Sequence, residues 1–334
     1  MISRSVYKNI NLPPLAMGVI EDHLLQPAHE FLSRPKKGIR AQLVELGYEA
    51  SDQSESPEIV QSLADIIEDI HSGSLIVDDV QDDSAVRRTK PALHKIHGIA
   101  QAINTGNWLY FSALRSLDEL PLKESVKLKL LRALHEMLNK GHLGQALDIG
   151  INIHNVPKQD VPEICKATMQ LKTGELMAAS VSMGAIAGGA GQNLLSCLHE
   201  ISIELGFILQ IYDDLKIMKI RDQQQVLDAN SKDFEDLINV RPCYVWQYAS
   251  EQEDEGVVDR LVEAINDLPD LSLLKKWIVD SDIHQKTIHQ LNERTQALLM
   301  QINDRFGKNG FNRPGVKVRV QKLIQLLEKS YEEN

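Results

Sequence analysis

The strongest constraint on the fold is a long stretch of helical periodicity, from about Pro57 to Asp83. Its apolar residues recur at a spacing of about 3.6 residues, which places them on one face of an α-helix. Those residues are Ile59, Val60, Leu63, Ile66, Ile67, Ile70 and Val77. We therefore predict a long helix that buries one face in a hydrophobic core.

Four carboxylates, Asp78, Asp79, Asp82 and Asp83, stand at the end of this predicted helix. Helical geometry places Asp78 and Asp82 on one face, one turn apart, with Asp79 and Asp83 in a second row. Like charges at this spacing repel, and partly buried carboxylates are costly unless cations neutralise them. Mg²⁺ is the predicted cation, because it binds through one or two carboxylates together with substrate phosphates. The alternative is a solvated acidic turn, which the apolar residues before the cluster and the arginines after it disfavour.

Two basic segments flank this helix. Arg87 and Arg88 follow the carboxylates and suit a phosphate group. The segment from Arg34 to Arg40 carries four cations in seven residues, just before a helix predicted from Ala41 to Ala50. It is either a solvated basic loop or an anion clamp, in which backbone N–H groups at the helix start assist.

His71 shares a helical stripe with Ser74, Asp78 and Asp82. Residues on one stripe face the same space, so His71 is directed toward the carboxylates. Two interpretations stay open for it, a structural histidine on an apolar helix and a ligand-binding histidine.

A second, thinner carboxylate site is predicted on a helix from about Leu194 to Ile220. Asp213 and Asp214 stand together there, and Gln210 lies one turn earlier on the same face. Two such sites converge naturally in a helix bundle. The chemistry that suits them is ionisation of a carbon–oxygen bond to a diphosphate, in which metals and cations stabilise the developing negative charge. A di-iron bundle would instead require Glu-x-x-His sequences on paired helices.

The remaining chain has the pattern of helices joined by polar linkers, without a convincing strand pair or repeat. The glycine-rich run Gly188–Gly191 resembles a phosphate loop, but it follows a helical pattern and is interpreted as a turn between helices. We predict an all-α fold, with one helix-bundle domain over residues 1–334. Residues 1–34 are predicted to form an N-terminal arm and a first helix.

Composition limits the partners and the compartment. The 334 residues carry a formal net charge of -11, so nucleic acid and anionic membranes are poor default partners. The three cysteines are widely spaced, which argues against a disulfide framework or a zinc site and suits a reducing cytoplasm. We expect no signal peptide and, since no stretch reaches about 18 apolar residues, no transmembrane helix.

The first motif resembles the aspartate-rich motif of trans-isoprenyl diphosphate synthases. The residues that carry this resemblance are Asp78-Asp79-x-x-Asp82, Arg87-Arg88, Lys90-Pro91 and His94, within a similarity that spans about residues 35 to 242. The runs 74–79 and 103–111 are most similar to geranylgeranyl diphosphate synthases of the eukaryotic type. The resemblance implies a helix bundle of the isoprenoid synthase type with a central cavity, in which isopentenyl diphosphate is condensed with an allylic diphosphate. The implied product has about twenty carbons.

The resemblance also implies roles for individual residues. Isopentenyl diphosphate would be bound by Lys37, Arg40, His71 and Arg88. The allylic diphosphate would be held by Arg87, Lys172, Thr173, Gln210 and, in the loop after the second motif, Lys232. Mg²⁺ would be bound by Asp78 and Asp82 with Asp79 nearby, and a third ion by Asp213 and Asp214. A homodimer or a larger homo-oligomer is expected.

Product length is predicted to depend on small residues one turn before the first aspartate. Gly73 and Ser74 would let the growing chain pass, and the floor would involve Tyr110, Phe111 and His142 by resemblance. The second motif departs from many family members, because Ile217 stands where they carry a third aspartate.

Two further functions stay open. A terpene synthase on the same scaffold would not require Lys37, Arg40 and His71, which are all present. A weakly active regulatory subunit would typically lack the first aspartate motif, which this chain retains.

Overall fold

The computed structural model describes residues 11–218, 234–254, 256–307 and 310–332. Helices dominate these residues, which confirms the predicted all-α fold. The chain divides into two compact units, one with the residues up to Arg132 and Met183–Gly189, the other with Ala133–Ser182 and the residues from Ala190 onward. The prediction of one domain over 1–334 stays a prediction.

The first unit is built around the long helix that the apolar periodicity predicts. The helices of this unit are α1 (Pro14–Ile20), α2 (Gln26–Leu32), α3 (Ile39–Glu49), α4 (Pro57–Gln81), α5 (Leu93–His97) and α6 (Ile99–Asp118). A π-helical turn, Glu21–Leu25, joins α1 to α2. The long helix is α4, which packs against α3 and α6. Its residues Leu63, Ile67 and Ile76 are fully buried, so its apolar face forms part of the core.

A short β-hairpin in the first unit was not predicted. Its strands, β1 (Val86–Arg87) and β2 (Lys90–Pro91), pair antiparallel, with Val86 opposite Pro91 and Arg87 opposite Lys90. Strands of two residues are too short to produce an alternating sequence pattern, which is why the sequence showed no strand pair.

The long helix α7 (Glu124–Gly150) begins in the first unit and continues into the second. The second unit then contains α8 (Val161–Met169), a π-helical segment (Gln170–Gly174) and most of α9 (Glu175–Ala187). Its later helices are α10 (Gln192–Leu215), α11 (Glu235–Ile238), α12 (Tyr244–Ser250), α13 (Gly256–Asn266), α14 (Ser272–Ser281), α15 (Ile283–Phe306) and α16 (Gly315–Glu332). Within this unit, α10 packs against α12, α15 and α16.

The turn predicted at Gly188–Gly191 is confirmed. Gly189 has a φ of +86°, a left-handed conformation that favours glycine, and α10 begins at Gln192.

One helix in the described residues, α10, is long and apolar enough to cross a membrane by length and composition. More than half of its apolar window, 56%, is buried inside the protein. A buried core helix meets the same criterion, so α10 is weak evidence for a membrane span.

Candidate active site

The first carboxylate cluster lies at the C-terminal end of α4. Asp78 and Asp82 are half-buried, one turn apart, and Asp79 is fully buried. The helix ends at Gln81 with Asp82 as its C-cap, so the predicted juxtaposition of Asp78 and Asp82 is present. The expected second row is wrong, because Asp83 leaves the helix with a φ of +53°. Its exposed carboxylate pairs with Lys95 at 2.5 Å and lies 3.3 Å from His94 Nε2.

Arg87 pairs with the two adjacent aspartates. Its Nε donates to Asp79 Oδ1 at 2.7 Å and its Nη2 donates to Asp78 Oδ2 at 3.0 Å. Burial alone would lower the pKa of Arg87, but the hydrogen bonds and charges of these carboxylates outweigh it and raise the pKa. The buried charge of Asp79 is therefore compensated within the protein.

Arg88 lies in the hairpin turn rather than on a helix or strand. Arg88 and Thr89 have φ values of +51° and +64°, the signature of a type I′ turn that usually selects Asn or Gly. Burial is the main cause that lowers the pKa of Arg88. Its Nη1 is buried and has no hydrogen-bond partner in the described part of the chain.

His71 lies on α4, on the same helical stripe as Asp78 and Asp82. Burial, followed by the positive charges of Arg40, Arg88, Arg87 and Lys36, holds its pKa well below the usual range. The imidazole is therefore neutral at pH 7. Its Nδ1 is buried and has no hydrogen-bond partner among the described residues, which is unusual for a merely structural histidine.

The basic segment before α3 divides into buried and exposed cations. Lys37 is exposed and Arg40 is half-buried. Arg34 is fully buried, and its Nη2 pairs with Glu30 at 2.8 Å. The interpretation of this segment as a solvated loop is therefore wrong for Arg34. The sequence did not indicate that this arginine is buried in an ion pair.

Lys172 lies in the π-helical segment between α8 and α9, an irregularity that is frequent at functional sites. Its Nζ donates to Asp148 Oδ2 at 2.7 Å, and Arg241 Nη1 donates to the same oxygen at 3.3 Å. Asp148 is buried and was not predicted to take part. It holds two cations in place at one buried carboxylate.

A chain of hydrogen bonds connects the other predicted residues of the second unit. Thr173 Oγ1 donates to Gln210 Oε1 at 3.0 Å, and Gln210 Nε2 donates to Asp214 Oδ1 at 2.9 Å. The backbone N–H of Tyr244, at the start of α12, donates to Asp214 Oδ2 at 2.7 Å. Burial raises the pKa of Asp214 to about 7.

These hydrogen bonds give Asp214 a structural role that was not predicted. Both of its oxygens accept hydrogen bonds inside the protein, so it acts as a capping group for α12. Its role as a metal ligand stays a prediction. Asp213 is exposed and pairs with Lys216 on the following turn. Lys232 lies outside the described residues, and so does the Ile217 side chain.

The residues predicted to govern product length are arranged differently from the expectation. A Cβ atom at Gly73 would lie 2.7 Å from Gly106 O and 3.4 Å from Tyr110 Cε1, so Gly73 is a contact between α4 and α6 and not open space. The Ser74 hydroxyl donates to His71 O on the same helix.

Tyr110 is half-buried, and burial followed by the charge of Asp78 raises its pKa. Phe111 is 71% exposed, and His142 is exposed, with Nδ1 at 2.8 Å from Leu138 O. Phe111 and His142 are therefore not buried within this chain, and their part in a floor stays a prediction.

The first cluster fits Mg²⁺ by the chemistry of its donors, which are carboxylate oxygens. In the described residues, no three His, Cys, Asp or Glu side chains are gathered so that they could hold a metal by themselves.

Comparison with known proteins identifies a family for this chain. The family described as Polyprenyl synthetase matches residues 21–278. Geranylgeranyl pyrophosphate synthase D of Phomopsis amygdali is 36% identical over 161 residues, which cover 48% of this chain and 36% of that protein. Ophiobolin F synthase of Aspergillus calidoustus is 32% identical over 206 residues, which cover 61% of this chain and 26% of that protein.

The chain thus matches 36% and 26% of the lengths of these two relatives. Among solved structures, geranylgeranyl pyrophosphate synthase from Corynebacterium glutamicum, complexed with isoprenyl diphosphate and magnesium, superposes with a TM-score of 0.76 at 19% identity, over 94% of this chain and 91% of that one. This likeness shows the fold. Because the family match extends over well more than half of the sequence, this chain belongs to the polyprenyl synthetase family.

Proposed function

We propose that this protein condenses isopentenyl diphosphate with an allylic diphosphate and releases diphosphate, to give geranylgeranyl diphosphate of about twenty carbons. The observation that carries the proposal is that two of the buried polar atoms without a hydrogen-bond partner among the described residues, His71 Nδ1 and Arg88 Nη1, belong to side chains that interact electrostatically. Buried polar atoms are costly when unpaired. The positive charges of Arg40 and Arg88 lower the pKa of His71, so these side chains lie near one another. An anion with several oxygens, hydrated or partly protonated so that it can both donate and accept, would bond to His71 Nδ1 and to Arg88 Nη1.

In this proposal the first unit binds the diphosphate of isopentenyl diphosphate. The neutral His71 acts as a hydrogen-bond donor or acceptor, while Arg88 and Arg40 supply positive charge. Helix α3 begins at Ile39, shortly after the exposed Lys37. Backbone N–H groups at a helix start favour an anion.

The allylic diphosphate is assigned to residues of the second unit. Lys172, Thr173 and Gln210 supply an ammonium, a hydroxyl and an amide, each fixed by a hydrogen bond. As the carbon–oxygen bond ionises, the remaining N–H groups of Lys172 and Gln210 stabilise the charge on the leaving diphosphate, and Thr173 orients the Gln210 amide through its hydroxyl proton. The carbon–carbon bond then forms between the allylic carbon and the double bond of isopentenyl diphosphate, with loss of one proton.

We propose that Asp78 and Asp82 hold Mg²⁺ in the first unit and that Asp213 and Asp214 hold a further ion in the second unit. These ions would add charge stabilisation at the leaving oxygens. Asp79 stays paired with Arg87 and supports the first site. Asp214 supports the second site through its hydrogen bonds to Gln210 and α12.

We also propose a homodimer. Ile99, Ile103 and Phe111 lie on the exposed side of α6, with exposures of 59%, 39% and 71%. Exposed apolar side chains that recur along one helix are typical of an interaction surface. Light scattering after size-exclusion chromatography tests this, and a monomer at micromolar concentration would contradict it.

The test of the function is product analysis. The protein is incubated with Mg²⁺, isopentenyl diphosphate and farnesyl diphosphate, and the products are separated by chromatography and identified by mass spectrometry. We expect a diphosphate of about twenty carbons that disappears with a chelator. Arg88→Met should lose most of the activity, whereas Arg260→Met, which removes an exposed ion pair with Asp254, should not.

Two outcomes would refute the proposal. The absence of any prenyl diphosphate product would exclude a condensing enzyme. A cyclic hydrocarbon formed from an allylic diphosphate alone would favour the alternative function, a terpene synthase. One of the relatives is an ophiobolin F synthase.

A further inference from the structure

Both strands of the hairpin that carries Arg87 and Arg88 are bonded to helix α2 or to Arg34, which lies just after this helix. On the β1 side, Arg34 Nη1 donates to Arg87 O at 3.0 Å. On the β2 side, Lys90 Nζ donates to Glu30 Oε1 at 3.2 Å. Glu30 Oε2 also accepts from Arg34 Nη2 at 2.8 Å and Nε at 3.2 Å. The ion pair of Glu30 and Arg34 therefore holds both ends of the segment from Arg87 to Lys90.

The turn between the two strands is one that requires support. Arg88 and Thr89 both have left-handed backbone conformations, which cost free energy for residues other than glycine, most of all for a β-branched one. Such a turn persists when its surroundings hold it. The contacts to Arg34 and Glu30 are on either side of these two residues.

The aromatic ring of Phe31 adds a third contact. The guanidinium carbon of Arg34 lies 4.9 Å from the ring centroid, and that of Arg88 lies 5.4 Å from it. Both distances are within the range of a cation–π interaction. Phe31 is fully buried, so the Arg88 side chain has a rigid surface beside it.

The side chain of Arg34 has no exposure, which excludes a direct role in capturing a substrate from solvent. A fully buried arginine is rare unless its charge is paired. The contacts of Arg34 with Glu30, Phe31 and Arg87 O all lead toward the hairpin.

We propose that Arg34 is a positioning residue, which, held by Glu30, fixes the strained Arg88–Thr89 turn so that Arg88 is aimed at the diphosphate of isopentenyl diphosphate. This rests on the proposed function for the assignment of Arg88 to that substrate. Arg87 is held separately by Asp78 and Asp79. The loss of Arg34 should therefore affect isopentenyl diphosphate more than the allylic substrate.

The test uses the full chain and three variants. Arg34→Met keeps the length of the side chain but removes all of its donors. Arg34→Lys keeps the charge beside Glu30 but cannot also reach Arg87 O with a planar fork. Glu30→Gln weakens the clamp on both strands. Arg260→Met is the control for the loss of an ordinary surface ion pair.

The measurements are the KM for each substrate, kcat, the thermal midpoint, and calorimetric binding of isopentenyl diphosphate. We expect Arg34→Lys to remain folded at the assay temperature, yet to raise the KM and Kd for isopentenyl diphosphate at least about tenfold, since small misplacements of a binding group have large effects. The KM for the allylic diphosphate should stay within about twofold of the wild-type value, because the Arg87 side chain keeps Asp78 and Asp79 and the residues assigned to the allylic diphosphate belong to the second unit. Arg34→Met should show the same split more strongly, and Arg260→Met should show none.

Several results would overturn the inference. One is an unchanged KM and Kd for isopentenyl diphosphate in Arg34→Lys and Glu30→Gln. Another is an equal rise in KM for both substrates that follows the loss of thermal stability, because it would mean that the ion pair only stabilises the fold. If Arg34→Met does not fold, Arg34→Lys and Glu30→Gln decide the question. If the wild type binds isopentenyl diphosphate but does not condense it, only the proposed function fails.

Discussion

Replacing Gly73 with alanine is expected to disturb the contact between α4 and α6. The added Cβ would lie 2.7 Å from Gly106 O and 3.2 Å from Leu109 Cβ. The first distance is about 0.7 Å short of ordinary contact, which begins at 3.4 Å. The nearest neighbour is the backbone oxygen of Gly106, a buried residue of α6, which cannot rotate away as a flexible side chain could.

The magnitude follows from two opposing effects. Forcing an extra carbon into a packed contact costs about 1–3 kcal/mol, while alanine is favoured over glycine in a helix by about 1 kcal/mol. The net effect is a loss of about 0–2 kcal/mol. The control is Gly141→Ala on α7, where a Cβ would have no neighbour within 4 Å. That variant should gain about 1 kcal/mol, since only the helical preference changes.

The two variants should therefore differ by about 1–3 kcal/mol. At about 2 °C per kcal/mol for a large chain, the thermal midpoints measured by circular dichroism should be about 2–6 °C apart, with Gly73→Ala lower. The sequence-based hypothesis predicts otherwise, namely a shorter product without a loss of stability. Equal stabilisation by both substitutions, together with a shorter product only for Gly73→Ala, would refute the packing argument.

Three further predictions concern single residues. Burial raises the pKa of Asp69 to about 6 from 3.8, so the folded state binds this proton more tightly than the unfolded state and loses stability as pH rises from about 4 to 6. Asp69→Asn should thus be more stable than the wild type above about pH 6 and equal to it below about pH 4, and a constant difference in thermal midpoint across this range would contradict the assignment. Asp214→Ala should lower the free energy of unfolding by about 2–3 kcal/mol, because the Tyr244 N–H loses its acceptor. Asp214→Asn, which keeps one acceptor oxygen for the Tyr244 N–H and removes the buried charge, should lose less than the alanine variant in chemical denaturation, and wild-type stability of the alanine variant would exclude a capping role. Phe111→Ser should leave product length unchanged, because the ring is exposed, whereas Tyr110→Ala should lengthen the product; a longer product from Phe111→Ser would restore it to the floor.

The helical parts of the site could be predicted because their information is local. The periodicity of α4 predicted a helix from Pro57 to about Asp83, and the observed helix spans Pro57–Gln81. The same periodicity put His71 on the helix that leads to Asp78. It failed at Asp83, because nothing in the apolar spacing marks a residue that adopts a positive φ and ends the row.

The supporting residues could not be predicted, since their partners are distant in the sequence. Asp148 joins Lys172, 24 residues later, to Arg241, 93 residues later. Glu30 reaches Lys90 across 60 residues. Neither carboxylate belongs to a cluster or a motif, so composition and spacing provided no reason to select it.

The sequence by itself determined the all-α class, the long helix with its carboxylates, and the residue types that suit a diphosphate and Mg²⁺. These follow from helical periodicity and from the chemistry of neighbouring side chains, both of which act over a few residues. Only the tertiary structure decided what each group faces. It packs Gly73 against Gly106, turns Asp214 toward α12, leaves Phe111 exposed and buries Arg34 against the hairpin. The physical reason is that burial and hydrogen-bond partners depend on segments far apart in the chain, which meet only when the helices pack.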